Sequence, residues 1–378
     1  MRFAPFALER FFARYEFSVR YTLGSSDCET CRVADLLALE PGAEARLLAL
    51  PLGYTEATGS AALREALSEA FYPTTSRDGI LVCSGAEEAL FLYFHAVLSP
   101  GDHVVVQTPC YGSLTEVPRA LGAEVAPWRG APADGFRPSL AALDALLRPS
   151  TRLVVVNTPH NPTGARLSRA ELDDLVAMLA PRGIRLLCDE VYRELEADPG
   201  HRLPPACEVY ERAASVGVLS KAHGLPGLRI GWLATRDAQA LSSASVAKDY
   251  TTICNAGPSE LLAEVAVRHH ERLSARSRGL LAAHRPLLAG FLARHADLLR
   301  GAPPEAGPLT LLALSQGDDA AFCARVAEEA GVLLVPGSTF GEPGYVRMGL
   351  GRASFPEALA AFEEYLAAGA APAGTAAS

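Results

Sequence analysis

Apolar and polar positions along the chain fall into two textures. Between about residues 80 and 232, short and nearly continuous apolar runs alternate with segments whose apolar residues recur three and four apart. The runs are Ile80–Cys83, His103–Gln107, Arg152–Asn157, Ile184–Cys188, Ser215–Leu219 and Leu228–Trp232. Apolar on both faces, they predict strands covered on both sides. The segments at 85–98, 139–149 and 168–183 have helical spacing. Ser168 followed by Glu171 has the form of a capping box, and Gly183 suits a helix C-cap. Strands alternating with helices predict an α/β layer on a largely parallel sheet.

The texture changes from about residue 259. Long helical stretches rich in Leu, Ala and Arg run to about 299. Apolar runs at Leu309–Leu314, Val332–Val335 and Tyr345–Gly349 follow, with helices at 318–330 and after Ser354. This reads as α+β. Helices are also expected at 5–16 and 29–39. The expected division is a large domain at 46–257 and a small one combining 1–45 with 258–378. The Ala/Gly/Pro-rich tail, 367–378, is expected to fray.

Composition narrows the function classes. The chain has 378 residues, 49% of them hydrophobic, and a formal net charge of −9. That length suits about two domains, and the balance is that of a globular protein rather than a disordered chain. With no basic run, nucleic acid is not an expected partner. No apolar run approaches the roughly 18–20 residues that span a bilayer. The start shows no signal-peptide pattern, so the expected location is cytoplasmic. Cys28 and Cys31 form one Cys-x-x-Cys pair without a second pair or histidines at ligand spacing. They are expected to be reduced thiols, and no metal site is expected.

In open α/β sheets, ligands bind beyond the carboxyl ends of the strands. The first run is followed by Ser84-Gly85-Ala86-Glu87, a small-residue turn into a helix. The second leads to Tyr111, the third to Asn161-Pro162-Thr163-Gly164, the fourth to Asp189 and Tyr192, and the fifth to Ser220-Lys221. A helix start, an aromatic, an amide, a carboxylate, a tyrosine and a lysine thus converge. Each has an ordinary structural reading alone. Together they match what pyridoxal phosphate requires: a lysine, a carboxylate against the ring nitrogen, donors for the ring oxygen, a stacking ring, and a phosphate cradle with an arginine.

Asn157-Thr-Pro-His-Asn161-Pro-Thr-Gly164, Cys188-Asp189-Glu-Val-Tyr192 and Ser220-Lys221-Ala-His-Gly-Leu-Pro-Gly-Leu-Arg229-Ile-Gly-Trp resemble the signature segments of class I/II aminotransferases. Gly53-Tyr54 followed by Leu63-Arg64 resembles that family's early segment, and Val346-Arg347-Met-Gly its late one. The resemblance runs in order from about 53 to 352. It implies the fold of type I pyridoxal-phosphate enzymes, with a mostly parallel seven-stranded sheet flanked by helices and a smaller α+β domain.

By this resemblance Lys221 carries the cofactor and moves the proton, and Asp189 pairs with the ring nitrogen. Asn161 and Tyr192 face the ring oxygen, and Tyr111 stacks on the ring. Gly85, Ala86, Glu87, Ser220 and Arg229 hold the phosphate. Tyr54 reaches the phosphate of a neighbouring subunit, which implies a homodimer with shared sites. Arg347 grips the substrate α-carboxylate, with Asn161 beside it. The implied reaction is transamination between amino acids and keto acids. The Lys221 segment also resembles capreomycidine-synthase-like enzymes. These share the cofactor and act on an arginine derivative by elimination and ring closure.

The segment Leu23-Gly-Ser-Ser-Asp27-Cys-Glu29 departs from the family's usual Gly-x-Pro element. Asp27 and Glu29 are candidates to receive a cationic substrate side chain. The competing reading is local: Ser26-x-x-Glu29 also has the form of a capping box opening the helix expected at 29–39.

Overall fold

A computed structural model of the chain describes residues 3–369. Part of the expected fraying tail, 370–378, therefore lies outside the described residues, and 367–369 close the helix Phe355–Gly369. Two sheets organise the molecule. The larger has seven strands: β1 Ile80–Cys83, β2 His103–Thr108, β3 Glu124–Arg129, β4 Thr151–Asn157, β5 Arg185–Asp189, β6 Ala213–Val218 and β7 Gly231–Thr235. Their spatial order is β1-β7-β6-β5-β4-β2-β3. Only β7 opposes its neighbours; β1 and β2–β6 run in one direction. Six carboxyl ends therefore share one edge of the sheet. The register pairs Asn157 with Asp189 and Asp189 with Val216, which sets the ends of β4, β5 and β6 side by side.

The apolar runs form strands because both faces are covered. One face packs on the helices Ala86–Val97 and Ala238–Lys248, the other on Arg169–Leu179 and on Ala61–Phe71 with Gly257–Arg268. Val104, Val105, Val154, Val155, Leu186 and Leu187 are fully buried. Ser168 makes the expected capping box with Glu171, and Gly183 takes the left-handed conformation at φ 63°.

Three strand expectations shift. The sixth run forms β7 three residues later than expected, because Pro226–Leu228 is a short 3₁₀ turn. β3 escapes the apolar-run pattern altogether. It is an edge strand with alternating burial and carries Pro127, as only an edge tolerates; Trp128 anchors it, its indole N–H donating to the Ser139 carbonyl at 2.9 Å. In the run Val332–Val335, only Val335 joins a strand.

The second sheet has β8 Leu299–Arg300, β9 Leu309–Leu314, β10 Val335–Pro336 and β11 Tyr345–Gly349, ordered β10-β11-β9-β8 and antiparallel throughout. The N-terminal segment is laced to it. Tyr21 N–H donates to the Gly331 carbonyl, Leu333 N–H to Tyr21, and Gly349 N–H to Leu23. Gly349 has to be glycine: a Cβ there would collide with the Ser25 carbonyl oxygen. We propose 46–257 as the cofactor-binding domain, with 1–45 and 258–378 as the second. Helix Gly257–Arg268, across that boundary, packs on Ala61–Phe71.

The helix expected at 29–39 is shorter, Val33–Leu37. The Ser26–Glu29 capping box does not form. The Glu29 carboxylate instead accepts the Ala353 N–H at 2.8 Å, while Glu29 N–H donates to Gly351. These bonds draw the segment onto the turn that follows β11.

Candidate active site

A cavity of about 510 Å³ opens at the carboxyl edge of the large sheet, under the N-terminal segment. Its floor is built from strand ends. Asp189 closes β5 and is buried; Val191 N–H donates to its Oδ1 at 3.3 Å. Burial pushes the Asp189 carboxyl up to about 7, against the pull of that N–H and of Lys221. A cation placed against it would restore the carboxylate. Lys221 follows β6, and its Nζ donates to Ser26 Oγ at 2.8 Å and lies 5.8 Å from the Tyr192 ring centre. Burial lowers the Lys221 ammonium pKa, while Asp27 and Asp189 oppose the fall.

Asn157 ties the floor together, a role the motif alone did not reveal. Its Nδ2 donates to the Asp189 carbonyl at 2.8 Å, and its Oδ1 accepts Asn161 N–H at 2.7 Å. Its own N–H donates to Gln107 Oε1 at 3.1 Å. The ends of β2, β4 and β5 are thereby locked to the Asn161 loop. An Asn at the end of a buried strand, where its amide can bond the adjacent strand, is the signal that would have marked it.

Gly85 stands before helix Ala86–Val97 with φ 85°, a conformation costly for any residue with a Cβ. A Cβ there would also lie 2.5 Å from Arg229 Nη2. The helix start, the Arg229 guanidinium and the buried Ser220 hydroxyl, which has no hydrogen-bond partner among the described residues, form one concave corner. Helix amide N–H groups, a guanidinium and an unspent hydroxyl are the donor set for a phosphate.

Arg347, on β11, is fully buried. Its Nη1 donates to Asn161 Oδ1 at 3.1 Å and its Nη2 to the Gly24 carbonyl at 2.8 Å, while Nε has no partner among the described residues. Burial lowers its pKa to about 10, so it remains a cation at neutral pH. Both its bonds are to neutral acceptors, so no carboxylate among the described residues pairs with it directly, and it is suited to take one.

The roof is acidic. Glu9 and Glu16, on or just after helix Ala7–Tyr15, and Asp27 line the cavity. Tyr111 hydroxyl donates to Glu9 Oε1 at 3.2 Å, and Asp27 pairs with Arg352 at 2.9 Å. Burial raises the Glu16 carboxyl, and the charges of Asp27 and Glu9 raise it further.

The cavity thus gathers Ala86, Glu87, Tyr111, Asn161, Asp189, Tyr192, Ser220, Lys221, Arg229, Arg347 and Asp27. Gly85 borders the cavity behind Arg229 without lining it, and two other expected residues stand apart. Tyr54 is 93% exposed and outside this cavity. Glu29 also lies off it, its carboxylate taken by Ala353 N–H, so the acidic partners of Asp27 in the cavity are Glu9 and Glu16. Those two were missed because a Glu on an amphipathic N-terminal helix reads as a solvated face.

A doubly covered parallel sheet with lysine, carboxylate and phosphate corner at one edge defines a pyridoxal-phosphate enzyme of fold type I. The chain belongs to the family of class I and II aminotransferases, which it matches over residues 49–360. It is 33% identical to capreomycidine synthase of Streptomyces vinaceus over 364 residues, 95% of this chain and 93% of that one. A pyridoxal-phosphate-dependent aminotransferase from Streptococcus suis superposes with a TM-score of 0.90 at 31% identity, covering 97% of this chain and 98% of that one. A pyridoxal-phosphate-dependent cyclase, OrfR, also gives 0.90 at 31% identity, covering 98% and 99%. The cofactor is pyridoxal phosphate, and the corner at Gly85, the unspent Ser220 hydroxyl and the buried Asp189 fit it. Among the described residues, no helix is long and apolar enough to cross a membrane.

Proposed function

We propose that the protein is an aminotransferase that converts an α-amino acid to its keto acid. One observation carries the reading: Lys221, Asp189 and Arg347 converge on one cavity from β6, β5 and β11. When bound, the cofactor supplies an electron-withdrawing ring that acidifies the substrate α-carbon. Asp189 holds the ring nitrogen in its protonated form, as a buried carboxylate seeking a cation would. Gly85, Ala86, Glu87, Ser220 and Arg229 would hold the phosphate, Tyr111 would cover the ring, and Asn161 and Tyr192 would serve its oxygen. Arg347 takes the substrate α-carboxylate and so fixes the α-carbon near Lys221. Burial lowers the Lys221 ammonium pKa and so favours the free amine, and Lys221 Nζ moves the proton from that carbon. Ser26 Oγ orients it. Tyr54, exposed in a single chain, serves the site of a second copy in a homodimer.

The substrate side chain faces Glu9, Glu16 and Asp27. Of these three roof carboxylates Asp27 already pairs with Arg352, whereas Glu9 and Glu16 have no cation partner among the described residues and favour a cationic side chain. A second reading is supported by the likeness to capreomycidine synthase and OrfR across nearly the whole chain. In it the same site expels the hydroxyl of a hydroxylated arginine as water, and a guanidine nitrogen then bonds to the carbon that lost it and closes the ring. A single-turnover screen tests both. Holoenzyme is mixed with each amino acid without an acceptor. One keto acid released per site supports transamination. A cyclic product, or loss of a side-chain fragment with no keto acid, supports the second reading and overturns the first.

A further inference from the structure

Behind the cavity floor lies a trio, two of its members buried and the third half-buried, that the reaction as described does not use. Glu194 sits two residues after Tyr192, with φ 76°, a backbone conformation costly outside glycine. Its Oε2 is 2.9 Å from His223 Nε2, and its Oε1 is 2.9 Å from His270 Nδ1. His223 lies two residues after Lys221, and His270 opens the long helix His270–Arg294. Glu194 and His223 are 2% and 4% exposed, so their bond is not shared with water. Arg278 Nη1 donates to the Glu194 carbonyl at 3.1 Å, fixing the turn from its backbone. Phe71 packs edge-on against His270 with ring centres 4.8 Å apart. Burial pushes the Glu194 carboxyl up, but the two imidazoles outweigh it and hold the group ionised.

These ligand atoms, all within 4.8 Å of one another, are also of metal-binding types. Two facts assign their lone pairs otherwise. Each imidazole nitrogen already faces its own carboxylate oxygen at hydrogen-bond length. Arg202 Nη1, 3.5 Å from Glu194 Oε1, adds a positive charge where a cation would sit.

We propose that Glu194 is a positioning residue, joining the turn that carries Tyr192 to the turn that carries Lys221 through His223, with His270 as its brace. The inference rests on Lys221 being the cofactor lysine. No other side-chain hydrogen bond to the 191–194 turn comes from the 219–224 turn among the described residues. Beyond the β5–β6 ladder, which Glu190 N–H extends by donating to the Val216 carbonyl, the Glu194–His223 bond is thus the side-chain tie between the two turns. Small displacements of reacting groups cost large factors in rate, so cutting it acts on turnover rather than on substrate affinity.

The experiment uses the holoenzyme and the variants Glu194→Ala, Glu194→Gln, His223→Asn and His270→Asn. Three quantities are read: the pH midpoint of the cofactor's visible absorption, kcat against KM, and Tm. Glu194→Ala and His223→Asn are expected to shift the midpoint by about half a pH unit and lower kcat about tenfold, with KM within about twofold. Glu194→Gln, which keeps an accepting oxygen, restores most of kcat. His270→Asn lowers Tm and leaves the midpoint in place. Should Glu194→Ala fail to fold, His223→Asn cuts the same bond from the other side. Losses of kcat that track Tm across all variants, with an unmoved midpoint, overturn the proposal. So does a stoichiometric metal bound by the trio. A wild-type protein with no lysine-linked band would sink the cofactor reading instead, which the variants cannot mimic.

Discussion

The floor and the roof of the cavity are built on different principles. The floor is made of turns at the ends of adjacent parallel strands. Its parts lie within one sheet, and Asn157 fastens three of those ends together. The roof comes from the first 27 residues and from β11, more than 300 residues apart in sequence, and its carboxylates sit on a helix and a laced segment. In the proposed function the floor holds groups that serve any pyridoxal-phosphate reaction, and the roof those that read a substrate. The reaction would then rest on turns fixed by one sheet, and selection on side chains that can change without disturbing it.

Changes in the floor should therefore act on every substrate alike. Lys221→Ala is expected to lower kcat by about a thousandfold or more for any amino acid, because the proton has no other carrier. Borohydride reduction followed by peptide mapping checks the assignment, and an adduct on Lys248 would break it. Asp189→Ala is expected to slow turnover by orders of magnitude with little change in solubility. Its conservative form has a pH signature. In the cofactor-free protein the folded state holds the Asp189 proton more tightly than the unfolded chain. Stability from this group is complete below the ordinary aspartate range and is lost as pH rises towards about 7. Asp189→Asn should flatten that decline, as read by denaturant midpoints at several pH values.

Changes in the roof should discriminate. Glu16→Gln is expected to cost on the order of 2–4 kcal/mol in kcat/KM for a basic amino acid and little for a neutral one. Because burial already raises the Glu16 carboxyl, the same variant should not lose stability. Equal losses on both substrates would erase the distinction between roof and floor. The smallest effect lies in neither. Ser168→Ala removes a helix cap far from the cavity and should cost about 1 kcal/mol of stability with unchanged turnover.

The same division explains what could be read from the sequence. Strand-end chemistry is local: Asp189 and Lys221 each follow an apolar run, and the sheet topology does the rest. Ser168 and Glu171 form their box because a cap involves only four consecutive residues. Ser26 and Glu29 have the same pattern and fail, because Ala353, more than 300 residues on, offers Glu29 another donor. Glu9 and Glu16 were illegible for a related reason. Nothing near them in sequence indicates that their helix closes over strands from elsewhere. Edge strand β3 was hidden by Pro127 and by its alternating burial, since the pattern sought was that of an interior strand.

The lacing of the N-terminal segment to β11 makes this site a ruler. Gly24 accepts from Arg347, Leu23 from Gly349, and Asp27 from Arg352. The proposed anchor for one end of a substrate, Arg347, and the proposed carboxylate for the other, Asp27, are thus mounted on the same body. Whatever movement the two sheets make relative to each other, the span between those mounts stays constant. Such a site measures length as well as charge, and two cations that differ by a methylene present it with different lengths.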